Sequence, residues 1–300
     1  MFARRHPLLF FFMVVTACGT LIILSFMLLL TFTSNQVTGQ IVSQQKTGKG
    51  NIGIVEINGM ILSSKKIIND IKEFRENPAI KAIILRIDSP GGGIGPSQEI
   101  YREVEKTRMD KKIITSMGSV AASGGYYIAS ASDGIIANPG TITGSIGVIM
   151  EYANLMEIAR KIGISSVVIK SGEFKDMGSP LRDLNDTEKQ LFQDLIDELH
   201  QQFVTDAARA RKMPVEMMAA LADGRVYTGQ KAMQLKLIDR LGNLDDAVAW
   251  AGQLADIEGK LVPVYPKEDR ITFIKRLTET LLKDINLSGT ISNNLRYVIN

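Results

Sequence analysis

KIITSMGSVAASGGYY, residues 112–127, decides how this chain is read. Lys112 to Met117 is an Ile-bearing run of strand length, and it leads into a series of small residues, Gly118-Ser119-Val120-Ala121-Ala122-Ser123-Gly124-Gly125, closed by Tyr126-Tyr127. A serine at a strand-to-helix turn can point its hydroxyl out of a sheet, and small neighbours let a substrate backbone come close. The positive end of the following helix stabilises negative charge that develops there. The competing explanation is that these glycines serve only tight packing.

Working outward, short apolar runs alternate with amphipathic ones. IGIVEI (52–57), AIILRI (82–87), GIIANP (134–139) and SVVIKS (166–171) read as further strands, dense enough in Ile and Val to be buried in a largely parallel sheet. Residues 65–76 and 96–109 have helix-like length and spacing between them, the rhythm of α/β crossovers. Beyond Lys175 the pattern turns helical. Asn185 followed by Glu188 is an N-cap with its capping-box partner, and Leu191, Leu195, Leu199 and Phe203 recur four apart, an apolar face expected to dock. Pro214 suits the first position of a short helix to about Ala222, with Gly224 after its end. Residues 229–235 and 244–254 continue the helical pattern.

A second glycine-rich turn, Asp88-Ser89-Pro90-Gly91-Gly92-Gly93, follows the strand at 82–87 and offers backbone N–H donors for an oxyanion. It completes neither G-x-G-x-x-G nor a phosphate loop ending in GK[ST], so nucleotide readings fail. A nucleophilic serine needs a base. With only His6 and His200 in the chain, lysine is the economical choice, provided that burial brings a lysine pKa from about 10.4 toward 7 or 8. Lys170 and Lys175 both follow the run at 166–171, and spacing does not choose between them. No CxxC or HExxH is present, so no metal and no cofactor is expected.

The chain ends carry different information. From Leu8 to Phe32 no residue is charged, a stretch long enough to span a bilayer at about 1.5 Å per residue. Arg4 and Arg5 precede it and favour a cytoplasmic N-terminus, with the remainder outside. The exit, Leu30 to Asn35, has no small-x-small cleavage site, so a retained anchor is expected. Cys18 lies within that span and is the sole cysteine, so no internal disulfide can form. A net charge of +3 without a dense basic block argues against a nucleic-acid partner. The resulting division is a cytoplasmic N-terminus (1–7), a transmembrane anchor (8–32), a polar tether (33–50), a catalytic domain (51–260) and an extension (261–300). Ile271, Ile274, Leu277 and Leu281 form a stripe in the extension, suited to packing, to an oligomer contact or to a membrane contact.

DSPGGG (88–93), GSVAASGGYYIA (118–129), NPGTITGSIGVI (138–149), SGEFKDMGSPLR (171–182) and GRVYTGQKA (224–232), in this order, resemble the short, single-repeat form of the signal peptide peptidase A family. That family comprises membrane-bound Ser-Lys peptidases. The resemblance implies an α/β fold with a crotonase/caseinolytic-protease-like repeated ββα core and a helical C-terminal part, preceded by one transmembrane helix. It also implies that Ser123 is the nucleophile, Lys175 rather than Lys170 its base and Ser145 the residue orienting that lysine. Gly124 and Gly92, the latter less securely distinguished from Gly91, would supply the oxyanion hole. Phe174 stands where tyrosine is frequent, and Lys236 where the family often has glycine.

The implied activity is serine endopeptidase action on remnant signal peptides and other short or unfolded polypeptides, outside the cytoplasm of a bacterial or archaeal cell. The implied partners are those peptides, membrane lipid through residues 8–32, and further copies of the chain in a homo-oligomer. Two readings compete: a crotonase-like acyl-CoA enzyme, which leaves the AASGG and FKD segments unexplained, and a membrane scaffold on a degenerate peptidase fold.

Overall fold

The computed structural model describes residues 50–266 and, apart from them, Thr20. The span expected over 8–32, the tether up to residue 49 and the extension beyond residue 266 lie outside the described residues. Among the described residues no helix is long and apolar enough to cross a membrane.

In chain order the elements are β1 (Ile52–Asn58), α1 (Lys65–Glu76), β2 (Ala82–Ser89), α2 (Ile94–Thr107), β3 (Lys112–Ala122), α3 (Gly124–Ser130), β4 (Gly134–Ala137) and β5 (Ile142–Gly144). There follow α4 (Met156–Lys161), α5 (Asp186–Ala210), α6 (Val215–Ala219), β6 (Val226–Thr228), α7 (Gly229–Gln234), β7 (Arg240–Leu241), α8 (Leu244–Leu254) and β8 (Pro263–Val264). They make a mixed α/β fold around one sheet ordered β6-β5-β3-β2-β1-β8, with β4 attached to β3 and β7 to β4. Every pairing is parallel except β5 with β6.

Alternation along the strands explains why the sheet is covered on both faces. Ile52, Ile54, Ala82, Ile84, Ile114 and Ile136 point to one side, where Ala247, Trp250 and Ala251 of α8 close over them. Val55, Ile57, Ile83, Leu85 and Ile87 point to the other, against Ile71 and Phe74 of α1 and Ile100, Tyr101 and Val104 of α2. The Arg240 guanidinium lies 4.1 Å from the centre of the Trp250 ring, capping the α8 side with a cation–π contact.

Strand β3 forks the sheet. Its first half, Ile114 to Met117, pairs with β4, and its second half, Val120 to Ala122, pairs with β5. The small residues 118–122 therefore extend the strand instead of beginning the turn, and the turn itself is reduced to Ser123. Strand β4 ends at Ala137, short of the 139 expected, and β5 is a strand that three residues of Ile142-Thr143-Gly144 were too short to signal.

Three expectations are corrected. Residues 166–171 form no strand: Val167 and Ile169 are 86% and 98% exposed, and no neighbouring strand offers them a ladder, without which β-branched residues have nothing to pack on. The stripe on α5 docks along only part of its length. Phe203, Val204, Ala207 and Ala208 are buried, whereas Leu191 and Leu195 are exposed. The start of α5 is as expected, with Asn185 accepting from the Glu188 N–H and the Glu188 carboxylate accepting from the Asn185 N–H. Pro214 is the N-cap of α6 instead of its first residue, and that helix ends at Ala219.

Candidate active site

Sheet register assembles the site. Ser89 pairs with Ala121, and Ala122 with Gly144. The residues just past β2, β3 and β5 therefore meet at the carboxyl ends of three neighbouring strands, where open parallel sheets bind their ligands. These residues are Gly91 and Gly92, Ser123 and Gly124, and Ser145.

Ser123 lies between β3 and α3 with φ 52° and ψ −120°, a conformation that L-residues rarely adopt. Such a backbone costs about 1–3 kcal/mol and persists only where its surroundings impose it. Here they do: the Ser123 N–H donates to the Gly144 carbonyl at 2.8 Å, and the Ser123 carbonyl accepts from the Tyr127 N–H at 2.9 Å. Ser145 is likewise left-handed, at φ 49°, and its N–H donates to the Arg225 carbonyl at 2.9 Å.

The glycine loop presses onto this turn. A methyl group at Gly91, where φ is 110°, would come within 2.8 Å of Ser123 Cβ and 2.9 Å of Gly124 N, so only glycine allows the approach. The two candidate donors of the loop differ in state. The Gly91 N–H is already bonded to Ser89 Oγ at 3.1 Å, whereas the Gly92 N–H has no acceptor among the described residues. Ile61 bridges the loop on its far side, donating to the Gly91 carbonyl and accepting from the Gly93 N–H, each at 2.9 Å. Gly124 opens α3, and the first N–H groups of a helix have no partner within it.

Gly92, Ser123 and Gly124 line an open cavity with about 360 Å³ of empty space, adjoining solvent included. Its walls are mainly apolar: Ile94, Tyr127, Val148, Leu199 and Phe203, with Ser97 and Gln98 beside them. Tyr127 is held firmly. Its ring packs edge-on to Phe203 at 4.9 Å and against Tyr101 at 4.6 Å, and its hydroxyl donates to the buried Asp206 carboxylate. Burial, reinforced by Asp206, pushes the Tyr127 phenol far above its ordinary range, and burial takes Tyr101 up to about 12. Both therefore stay neutral donors at any physiological pH. This wall was not anticipated, although Leu199 and Phe203 belong to the four-residue stripe that pointed to a docked helix.

Lys175 is not part of this wall. It is exposed on the irregular segment between α4 and α5, and its ammonium has no hydrogen bond or ion pair to a described residue. Lys170 is committed, donating to the Glu173 carbonyl and the Asp176 carboxylate, each at 2.6 Å. The stretch from Ile149 to Ile169, which includes α4, leaves Ile149, Ile158, Ile162, Val167 and Ile169 each more than half exposed, the largest display of apolar side chains among the described residues.

The model of peptidase family S49 matches residues 105–258, which include Ser123, Ser145 and Lys175. The chain is similar to a putative protease of Synechocystis sp., with 42% identity over 76% of this chain and 82% of that one. It is also similar to a putative signal peptide peptidase SppA of Enterococcus faecium, at 34% identity over 72% of this chain and 67% of the other. A chloroplastic serine protease SPPA of Arabidopsis thaliana shares 38% identity over 79% of this chain, which spans only 34% of that longer protein. Likeness of this extent, over a serine held strained in an apolar cavity, places the chain in peptidase family S49 as a serine-type peptidase.

Proposed function

We propose that the protein is a membrane-tethered endopeptidase with a Ser-Lys dyad, acting on remnant signal peptides and other short or unfolded polypeptides. The observation that carries this reading is the convergence of Ser123 with the unpaired N–H groups of Gly92 and Gly124 in one apolar cavity. We place its fold in the crotonase and caseinolytic-protease group.

In this mechanism Lys175 Nζ takes the Ser123 hydroxyl proton as Oγ attacks the peptide carbonyl. The carbonyl oxygen, now negative, accepts from the N–H groups of Gly92 and Gly124. The C–N bond then breaks, the leaving amine receives the proton from Lys175, and water cleaves the ester with the same lysine as base. Ser145, beside Ser123 at the end of β5, orients the ammonium. The commitment of the Gly91 N–H to Ser89 favours Gly92 as donor, and the commitment of Lys170 to Asp176 favours Lys175 as base.

A lysine that acts as base must be neutral, which calls for an apolar enclosure. Lys175 is exposed in the single chain. Its segment is tied through Arg182 to Glu188 at the start of α5, and Leu199 in the cavity wall lies about 16 Å further along that helix at 1.5 Å per residue. A second copy of the chain is therefore the partner we assign: it would cover the exposed isoleucines and valines and bring serine and lysine together from two chains. The uncharged run 8–32 supplies the anchor, in a bacterial or archaeal membrane with the catalytic domain outside, and confines enzyme and substrate to one surface. The small apolar cavity suits the side chains of a signal peptide core.

Full-length enzyme in lipid vesicles should cleave a synthetic signal peptide embedded in the same vesicles and leave a folded soluble protein intact. Cleavage of unstructured casein with the embedded peptide untouched would remove the substrate assignment. Gly92→Ala tests the oxyanion hole separately. Its methyl group would collide with the Ile61 carbonyl oxygen and come within 2.6 Å of Ile61 N and 2.8 Å of Ile61 C, backbone atoms held by the bridge to the loop. Turnover should fall about 10²–10³-fold with the far-UV circular dichroism unchanged. Turnover close to wild type would take Gly92 out of that role.

A further inference from the structure

The segment carrying Lys175 has no helix or strand of its own between α4 and α5, yet one side chain holds it together. Arg182 Nε donates to Asp176 Oδ2 at 2.8 Å and Nη2 to Asp176 Oδ1 at 3.0 Å, a two-pronged grip on the residue next to Lys175. Nη2 also donates to the Asp176 carbonyl at 3.2 Å. The other edge of the same guanidinium grips Glu188, with Nη1 donating to Oε2 at 2.7 Å and Nη2 to Oε1. Glu188 is itself buried and caps α5. A planar fork that holds two carboxylates fixes both distance and angle in a way a lysine could not. Arg182 thus links the Lys175 turn to the helix whose later turns wall the cavity.

The grip also disposes of a charge. A lysine base must be neutral at rest, and a free carboxylate one residue away would favour its protonated form. Asp176 is not free: hydrogen bonds from Arg182 first, and from Lys170 second, hold its carboxyl well below the usual carboxylate range. Its charge is already spent on two cations. The other charged groups of the neighbourhood are Glu173 on the turn, Asp183, Asp186 and Lys189 leading into α5, and Glu157, Arg160 and Lys161 on α4. Lys189 pairs with Asp186 at 2.9 Å, and Asp183 accepts from Asn154 at 2.7 Å, so neither carboxylate stands uncommitted beside the turn.

We propose that Arg182 is a positioning residue for catalysis, aiming the Lys175 turn from α5 and occupying Asp176 so that this carboxylate cannot hold the base protonated. This rests on the assignment of Lys175 as base.

The test uses full-length detergent-solubilised enzyme and the pH profile of kcat/KM for Arg182→Ala, Arg182→Lys and the double variant Arg182→Ala/Asp176→Asn. With Asp176 left to Lys170 alone, the rising limb of the Arg182→Ala profile moves to higher pH. At pH 7 activity falls tenfold or more, the consequence of about one unit, with KM little changed. In the double variant no carboxylate remains to be released, so the limb returns toward that of wild type. Arg182→Lys keeps the charge without the fork and should fall between wild type and Arg182→Ala. Equal loss at every pH, unrelieved in the double variant although both melt as wild type does, would make Arg182 structural and overturn the proposal. So would a wild-type profile for Arg182→Ala. Failure of the underlying assignment is read separately, as full activity in Lys175→Ala.

Discussion

Ser123→Ala is expected to lower peptide turnover by at least about 10⁴-fold, the loss that follows removal of an attacking oxygen when the oxyanion donors remain. Stability should hardly change. The Ser123 hydroxyl has no hydrogen bond to a described residue, and the backbone bonds to Gly144 and Tyr127 that impose its conformation do not use the side chain. Alanine meets the same strain at φ 52° that serine meets, so folded and unfolded states move together. Turnover by a continuous peptide assay, alongside a thermal melt, checks both halves. A variant that melts normally and still turns over peptide would leave Ser123 as only a tight corner in the sheet, the packing explanation that sequence alone left standing.

Lys175→Ala is expected to lower turnover by about 10²–10⁴-fold, the usual contribution of a general base. Lys170→Ala should lose less, because its ion pair with Asp176 supports the turn without reaching the bond to be cut. The larger consequence appears on mixing. If the serine of one copy works with the lysine of the next, co-expressed Ser123→Ala and Lys175→Ala chains form some sites with both groups intact. On random assembly half the serines are intact, and half of those face an intact lysine, so about a quarter of wild-type turnover should return. No recovery in co-assembled oligomers would mean that serine and base belong to one chain.

Much of the fold was legible because its signals are periodic and doubly determined. Strands β1 and β2 announce themselves by their dense apolar runs, and α1 and α8 by their helical spacing. What escaped were elements defined by a partner. Strand β5 is three residues long and exists because Ala122 and its neighbours offer a ladder. Val167 and Ile169 form no strand because no described strand offers them a ladder. Lys236 illustrates the middle case: it replaces a glycine frequent in the family, and it takes φ 61°, the left-handed conformation that glycine adopts without strain. The cavity shows the same division. Ser123 and the glycine loop could be located from local composition, but Tyr127, Leu199 and Phe203 become neighbours only when α5 packs against α3. That Lys175 lies outside the cavity of Ser123 could not be read from spacing at all.

The outermost strand β8 lies against β1, and Asn51 clips the two ends together, its Nδ2 donating to the Lys260 carbonyl at 3.0 Å and its Oδ1 accepting from the Val262 N–H at 2.8 Å. The two ends of the described residues are thereby stapled at one corner, at the opposite end of the sheet order from β6. Two ends that meet at one corner can be relinked head to tail across it and the ring reopened elsewhere, without any strand giving up its neighbours.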